Sequence, residues 1–212
     1  TLLPPMKLRL AVPKNLIDLG RISELRGIER KANDLVVGAM ETHDAVTSSP
    51  VVRGALPALC QLAARMGDQH VRHRGTIGGS DANNDPAADY PAAVLALNAT
   101  VVTNKREIKA DAFFTGLFAT ALGADEIITR IAFPIARKFA YAKFANPASR
   151  YALVGVAVAD TASGVRVGQV QRMSRQLSGQ GESLIPVVIE VMPDRVTLSG
   201  GALRPGTEGI EH

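Results

Sequence analysis

Apolar residues in this chain come in short runs separated by turn-forming residues, the longest being Pro91 to Leu97 and Ala152 to Ala159. Such runs fall far short of the roughly 18 apolar residues that a membrane-crossing helix needs. No internal repeat or sustained heptad joins them, so a coiled coil is excluded as a description of the whole. A chain punctuated this often has to fold from many short elements. Asn15 to Leu19 and Asp34 to Val37 read as strands, each flanked by Gly, Asn or Asp. Thr100 to Thr103, Arg106 to Lys109, Glu126 to Phe133, Tyr141 to Phe144 and Leu153 to Val158 are strand-like, rich in β-branched and aromatic residues. Gly54 to Met66 predicts a helix, because Leu56, Leu59, Cys60, Ala63 and Met66 recur at three- and four-residue spacing and Gly67-Asp68 ends it. Asp85-Pro86 predicts the opening of another helix, through Leu97: an aspartate accepts orphan first-turn amides and proline costs little there. Strands outnumber helices and do not alternate with them regularly, which favours an α+β fold over a doubly wound sheet.

The remaining composition excludes several function classes. Lys and Arg number 24 against 20 Asp and Glu, a formal charge of +4 over 212 residues. That is mild, and without a block of like charges it argues against nucleic-acid binding. The single cysteine, Cys60, falls on the apolar stripe of its helix and reads as a small core hydrophobe; it fits a reducing, cytoplasmic compartment and leaves no thiol set for zinc or iron–sulfur ligation. His70 and His73 stand beside Arg72 and Arg74 without a nearby carboxylate in sequence, too few ligands for a metal.

The densest chemistry lies in Arg72-His73-Arg74-Gly75-Thr76-Ile77-Gly78-Gly79-Ser80-Asp81-Ala82-Asn83-Asn84-Asp85-Pro86. Adjacent glycines bounded by Thr76 and Ser80 predict a loop with positive φ whose amides converge on an anion such as a phosphate. The spacing matches neither a P-loop nor a three-glycine dinucleotide fingerprint. Asn83, Asn84, Asp85 and Asp89 add hydrogen-bonding groups suited to a sugar, which makes a dinucleotide-like ligand the natural reading.

The stretch Arg72 to Ser80, followed by Ala82-Asn83-Asn84-Asp85-Pro86-Ala87-Ala88-Asp89-Tyr90-Pro91-Ala92, resembles the second flavin motif of the FAD-binding medium subunit of molybdenum hydroxylases, the carbon monoxide dehydrogenase and xanthine dehydrogenase family. Met6 to Leu10, Leu16 to Leu19, Gly38-Ala39 with Thr42-His43, Phe113-Phe114, Asp125 to Ile128 and Tyr141 to Phe144 match in order, so the resemblance runs from Thr1 to about Val167. It implies a p-cresol methylhydroxylase or vanillyl-alcohol oxidase type FAD-binding domain over residues 1–135, lacking its first lobe, then a partial α+β domain over 136–199 and a frayed tail over 200–212. It also implies an electron relay: a molybdopterin large subunit oxidises the substrate, an iron–sulfur small subunit passes the electrons on, and FAD on this subunit delivers them to the terminal acceptor.

By the same resemblance, Thr76, Ile77, Gly78, Gly79 and Ser80 bind the FAD diphosphate through backbone amides, and Asn83 and Asp89 contact the sugar or diphosphate. Ile128 packs on the adenine or flavin, and Lys143 approaches the flavin end, where a cation stabilises negative charge on the reduced ring. Thr1, Leu2 and Leu3 belong to the first flavin loop, whose Ala-Gly-Gly part would precede Thr1. After about Gly168 the sequence departs from the family pattern. Two other readings accompany this one: a flavin-less piece retaining only subunit contacts, and a stand-alone flavin reductase or oxidase on the same fold.

Overall fold

A computed structural model describes residues 2–171; Thr1, the end of the second expected domain and the expected tail at 200–212 lie outside the described residues. The chain opens with helix α1 (Leu3–Lys7), followed by a 3-10 turn at Ser23–Leu25. Strands β1 (Ile28–Lys31) and β2 (Asp34–Gly38) lead into helices α2 (His43–Ser48), α3 (Pro50–Ala55), α4 (Pro57–Ala64), α5 (Gln69–Arg74), α6 (Ile77–Asn83) and α7 (Tyr90–Ala96). Then come β3 (Thr100–Thr103), β4 (Glu107–Lys109), α8 (Ala110–Phe113), β5 (Phe114–Gly116), β6 (Ala119–Thr120) and β7 (Ile128–Pro134). Three long strands close the described chain: β8 (Lys138–Ala145), β9 (Ala152–Thr161) and β10 (Gly164–Gln171).

The strands form a five-stranded sheet in the order β1-β2-β7-β3-β4, a separate three-stranded sheet β10-β9-β8 and the small pair β5-β6, all antiparallel. This is the α+β arrangement the strand count favours. In the larger sheet Ile131 sits between Val37 on one neighbour and Val101 on the other, and all three are fully buried. Leu56, Leu59, Leu62 and Ala63 join the same core from the helical side. Helix α7 presents Ala92, Ala93 and Ala96, and the second sheet comes close to it: a Cβ on Gly168 of β10 would collide with the carbonyl of Ala92. That approach brings β8 over the start of α7, where the functional side chains meet.

Three expected elements differ. The Gly54 to Met66 helix is two helices, broken at Leu56 (φ −140°, ψ 73°) because Pro57 disfavours helical geometry in the residue before it. Its apolar stripe is nevertheless buried, Cys60 included, and the Cys60 Sγ donates to the Val46 carbonyl at 3.4 Å. No strand forms at Asn15 to Leu19: Leu16 and Ile17 are exposed, and Asp18 Oδ1 takes the Gly20 amide at 2.8 Å, a local turn that replaces strand pairing. The helix expected from Asp85 starts at Tyr90 instead, since Asp85 spends its carboxylate on the Ala87 amide (2.8 Å) in a turn.

Candidate functional site

Where the sequence suggests a glycine loop, the structure has the first turn of α6. Thr76 is its N-cap, with Oγ1 accepting from the Gly79 amide at 3.2 Å, and neither Gly78 nor Gly79 has positive φ. The glycines serve packing and access, not backbone freedom. A Cβ on Gly78 would lie 2.5 Å from Ala39 Cβ and 2.8 Å from its carbonyl oxygen, so only glycine lets α6 dock on the residue that follows β2. Gly79 is exposed, and its missing Cβ would meet nothing but Thr76 Oγ1.

The amides here are mostly engaged. Ile77 N donates to Glu41 O (3.0 Å), Gly78 N to Ala39 O (2.9 Å) and Ser80 N to Thr76 O (3.0 Å). Three of the five expected amides are thus taken, and that of Gly79, exposed at the positive end of a helix, is held only by a side-chain hydroxyl. Asn83 lies half-buried four residues on, on the same helical face. Asn84 caps α6 in the left-handed region (φ 43°) and its Nδ2 donates to the carbonyls of Gly116 and Ala119, both at 2.8 Å. Leu2 is exposed and Leu3 begins α1. Ile128 is 5% exposed and belongs to the core.

The structure brings Asp89 and Lys143 together. Lys143 Nζ lies 2.9 Å from Asp89 Oδ2, with side chains only 1% and 6% exposed, and also donates to the Arg65 carbonyl at 3.1 Å. The Tyr141 hydroxyl donates to Asp89 Oδ1. Residues 141 and 143 alternate on a strand, so both side chains face the start of α7. Burial pushes the Asp89 carboxyl up while Lys143 and Tyr141 hold it down; burial and the Asp89 carboxylate push the Tyr141 phenol above its ordinary range, so it remains a donor.

Beside this cluster lies a cavity of about 290 Å³, lined by Arg65, Gly67, Arg72, Lys143 and Arg150 among others. Four cationic residues line this one space, and Arg72 Nη1 is oriented by the carbonyls of Met66 (3.2 Å) and Gly67 (3.1 Å). Such a lining suits an anionic or electron-rich ligand. The sequence reading missed Arg65, Arg72, Arg150 and Tyr141 as site residues; the period-two spacing of Tyr141 and Lys143 was the one available signal. His73, read as lacking a carboxylate, has Asp44 Oδ2 at 3.4 Å from Nδ1 across α2 and α5. Among the described residues no cluster of His, Cys, Asp and Glu could hold a metal, and no helix is long and apolar enough to cross a membrane.

On this α+β fold a helix start open at Gly79 packs on a second helix that begins at a buried carboxylate–lysine pair beside a basic cavity, an arrangement with the amide and cations that a nucleotide cofactor requires. The family model described as "FAD binding domain in molybdopterin dehydrogenase" matches residues 1–136, and the chain belongs to that family, whose cofactor is FAD. It is 39% identical over 178 residues to the carbon monoxide dehydrogenase medium chain of Hydrogenophaga pseudoflava, covering 81% of this chain and 62% of that one. It is 33% identical over 177 residues to the glyceraldehyde dehydrogenase medium chain of Sulfolobus acidocaldarius, covering 81% and 63%. A solved carbon monoxide dehydrogenase from Hydrogenophaga pseudoflava that lacks the Mo-pyranopterin moiety superposes with a TM-score of 0.75, covering 80% of this chain and 63% of that one. The chain thus spans somewhat under two thirds of these relatives' length.

The residues present fit FAD on two counts. The space beside Gly79 is one that a Cβ would enter, and the cavity at Lys143 supplies cations for an electron-rich ring.

Proposed function

We propose that this chain is the FAD-binding part of a medium subunit in a molybdenum hydroxylase, relaying electrons from an iron–sulfur small subunit, supplied by a molybdopterin large subunit, to a terminal acceptor. The observation that carries this reading is the buried Lys143–Asp89 pair at the wall of the basic cavity. FAD supplies the redox chemistry, accepting and returning electrons singly or in pairs. The residues of this chain bind and orient. The exposed Gly79 amide and the positive end of α6 receive the diphosphate, and Asn83, on the same face, reaches the sugar. Lys143 has three N–H donors, of which Asp89 and the Arg65 carbonyl take two, leaving one for the pyrimidine edge of the flavin. Asp89 and Tyr141 fix the direction of that donor. Arg65 and Arg72 add positive potential, favouring negative charge on the reduced ring.

The domain division we propose follows the sheets: residues 1–135 hold the diphosphate end and 136–199, beginning with β8, bring Lys143 to the flavin end. A reducing cytoplasmic setting suits the free, buried Cys60. The test is direct: the purified chain mixed with FAD and passed through a desalting column should retain the flavin's visible absorption and melt at a higher temperature than without FAD. A colourless chain whose melting FAD does not shift would sink the proposal. Oxidation of a substrate by the flavin-loaded chain with no other subunit would favour a stand-alone oxidase instead.

A further inference from the structure

Helix α6 carries one side chain that neither packing nor FAD binding accounts for. Asp81, one turn beyond Gly78, is fully buried, and neither of its carboxyl oxygens has a hydrogen-bond partner. Among the described residues three other buried groups share this condition: the hydroxyl of Tyr90, the first residue of α7, Nδ1 of His43, the first residue of α2, and Nε2 of Gln169 on β10. The rings of His43 and Tyr90 are 5.4 Å apart. Polar groups so deeply buried are ordinarily paired, and three unpaired ones on three adjoining helices point to one shared network.

The charges around Asp81 set its protonation. From α7 comes Tyr90, whose phenol is pushed well above its ordinary range by burial and then by the Asp81, Asp89 and Cys60 groups near it, so it stays neutral. From α2 comes His43, whose pKa is lowered to about 4 by burial and by the Arg72 charge on α5, so it is a neutral acceptor or donor. Arg130 on β7, the strand α6 packs against, is exposed to solvent. No cation compensates Asp81, and burial alone pushes its carboxyl well above the ordinary range. None of Asp81, Tyr90 and His43 bonds another directly; a neutral carboxylic acid closes the donor and acceptor count through a bridging water, its O–H donating and its second oxygen accepting toward the Tyr90 hydroxyl and His43 Nδ1. An ionised carboxylate there would be a buried, uncompensated charge.

We propose that Asp81 is a positioning residue for the FAD diphosphate: as a neutral acid it ties α6 to Tyr90 and His43, and on losing its proton it releases α6 from that core and weakens FAD binding. This rests on the FAD reading above and adds proton control to the same site. Loss of the tie loosens the docking of Gly78 on Ala39, and with it the aim of the Gly79 amide.

The experiment has two arms on the whole chain. In the first, FAD affinity is measured from about pH 5 to about pH 9 for the wild type and for Asp81→Asn, whose amide stays neutral. The wild-type Kd should rise by up to about tenfold per pH unit once the acid titrates, and the Asp81→Asn curve should be flat. Identical pH slopes in the two proteins overturn the proposal. In the second arm, infrared spectra of the FAD-free wild type should show the carbonyl band of a buried protonated carboxylic acid, shifted in deuterium oxide and lost at the pH where melting temperature falls. Absence of that band overturns the proposal even if Asp81→Asn does not fold. If the band and the pH-dependent melting are present but FAD binds at no pH, the cofactor reading fails while the tie between the helices stands.

Discussion

Lys143 Nζ reaches Asp89 Oδ2 at 2.9 Å across a sequence separation of 54 residues, and both side chains are withdrawn from solvent. The contact joins the three-stranded sheet to the start of α7, so one ion pair holds the Lys143 ammonium in place and locks two layers of the fold together. Desolvating two charges is costly, and the pair persists because Tyr141 donates to the second Asp89 oxygen and the Arg65 carbonyl takes a second Lys143 N–H.

Removing one partner should therefore be far worse than removing both. Lys143→Met strands the Asp89 carboxylate and should cost about 3 to 5 kcal/mol in urea unfolding. Adding Asp89→Asn should restore much of that loss. Burial already raises the Asp89 carboxyl, and without Lys143 it rises further. The single variant's stability is then greatest below the ordinary carboxylate pKa of about 4 and is lost as pH rises through the folded value. FAD affinity should fall in the single and the double variant alike, because the Nζ donor is gone from both. An equal stability loss in the two would show that the pair contributes nothing beyond each residue's packing.

The two glycines of α6 should separate folding from binding. Gly78→Ala forces a Cβ against Ala39 backbone and side chain, which cannot yield, and should cost about 2 to 4 kcal/mol. Gly79→Leu displaces only the Thr76 hydroxyl, a cap worth about 1 kcal/mol that the gain in helix propensity offsets. Its melting temperature should stay near that of the wild type while FAD affinity drops about tenfold or more. Undiminished FAD affinity in Gly79→Leu would remove the diphosphate from this helix end.

How legible was this in the sequence? The apolar stripe of α4 and strands β2, β3 and β7 were readable because β-branched runs and three-to-four spacing report directly on which face is buried. The functional constellation was readable only through the resemblance, since Asp89 and Lys143 meet by packing of two sheets and no local pattern encodes that distance. What misled was local chemistry with two solutions. Gly78-Gly79 suits a positive-φ turn as well as a close helix docking, and the backbone of Ala39, more than 30 residues earlier, decides for the helix. Asp85 could open a helix and Asp18 could lie within a strand, and each closes a turn on the backbone two residues ahead instead. Asp81, inside the motif, gave no sign that it faces the core.

Acid should destabilise the chain in two separable stages. His43 has its pKa lowered from 6.5 to about 4, so its contribution is fully present above about pH 6.5 and is lost as pH falls toward 4, roughly 3 kcal/mol at about 1.4 kcal/mol per unit. Glu126 is held down to about 2 by Arg106, the Gly123 amide and Thr103, so its contribution is present above 4.5 and is lost as pH falls toward 2. Asp81 and Asp89 act with the opposite sign, because their raised carboxyls gain from protonation. Difference curves isolate each group: subtracting the stability-against-pH profile of His43→Gln should remove the upper stage only, and that of Glu126→Gln the lower one. A wild-type profile that His43→Gln leaves unchanged between about pH 4 and 6.5 would contradict the neutral, buried state of His43.

Asn84 ends α6 with a backbone that few residues adopt, φ 43° and ψ 50°, while its side chain bridges to both strands of the β5-β6 pair through Gly116 O and Ala119 O. The two roles can be pulled apart. Asn84→Gly keeps the left-handed cap and loses only the two bridging bonds, whereas Asn84→Ala loses the bonds and strains the backbone as well. Urea unfolding should place the glycine variant about 1 kcal/mol below the wild type and the alanine variant about 2 to 3 kcal/mol below it. Hydrogen exchange should speed up at β5 and β6 in both variants, and at the last turn of α6 only in the alanine one. If the alanine variant were as stable as the glycine one, the left-handed cap would carry no weight, and Asn83, directly before it, would owe its position to the helix alone.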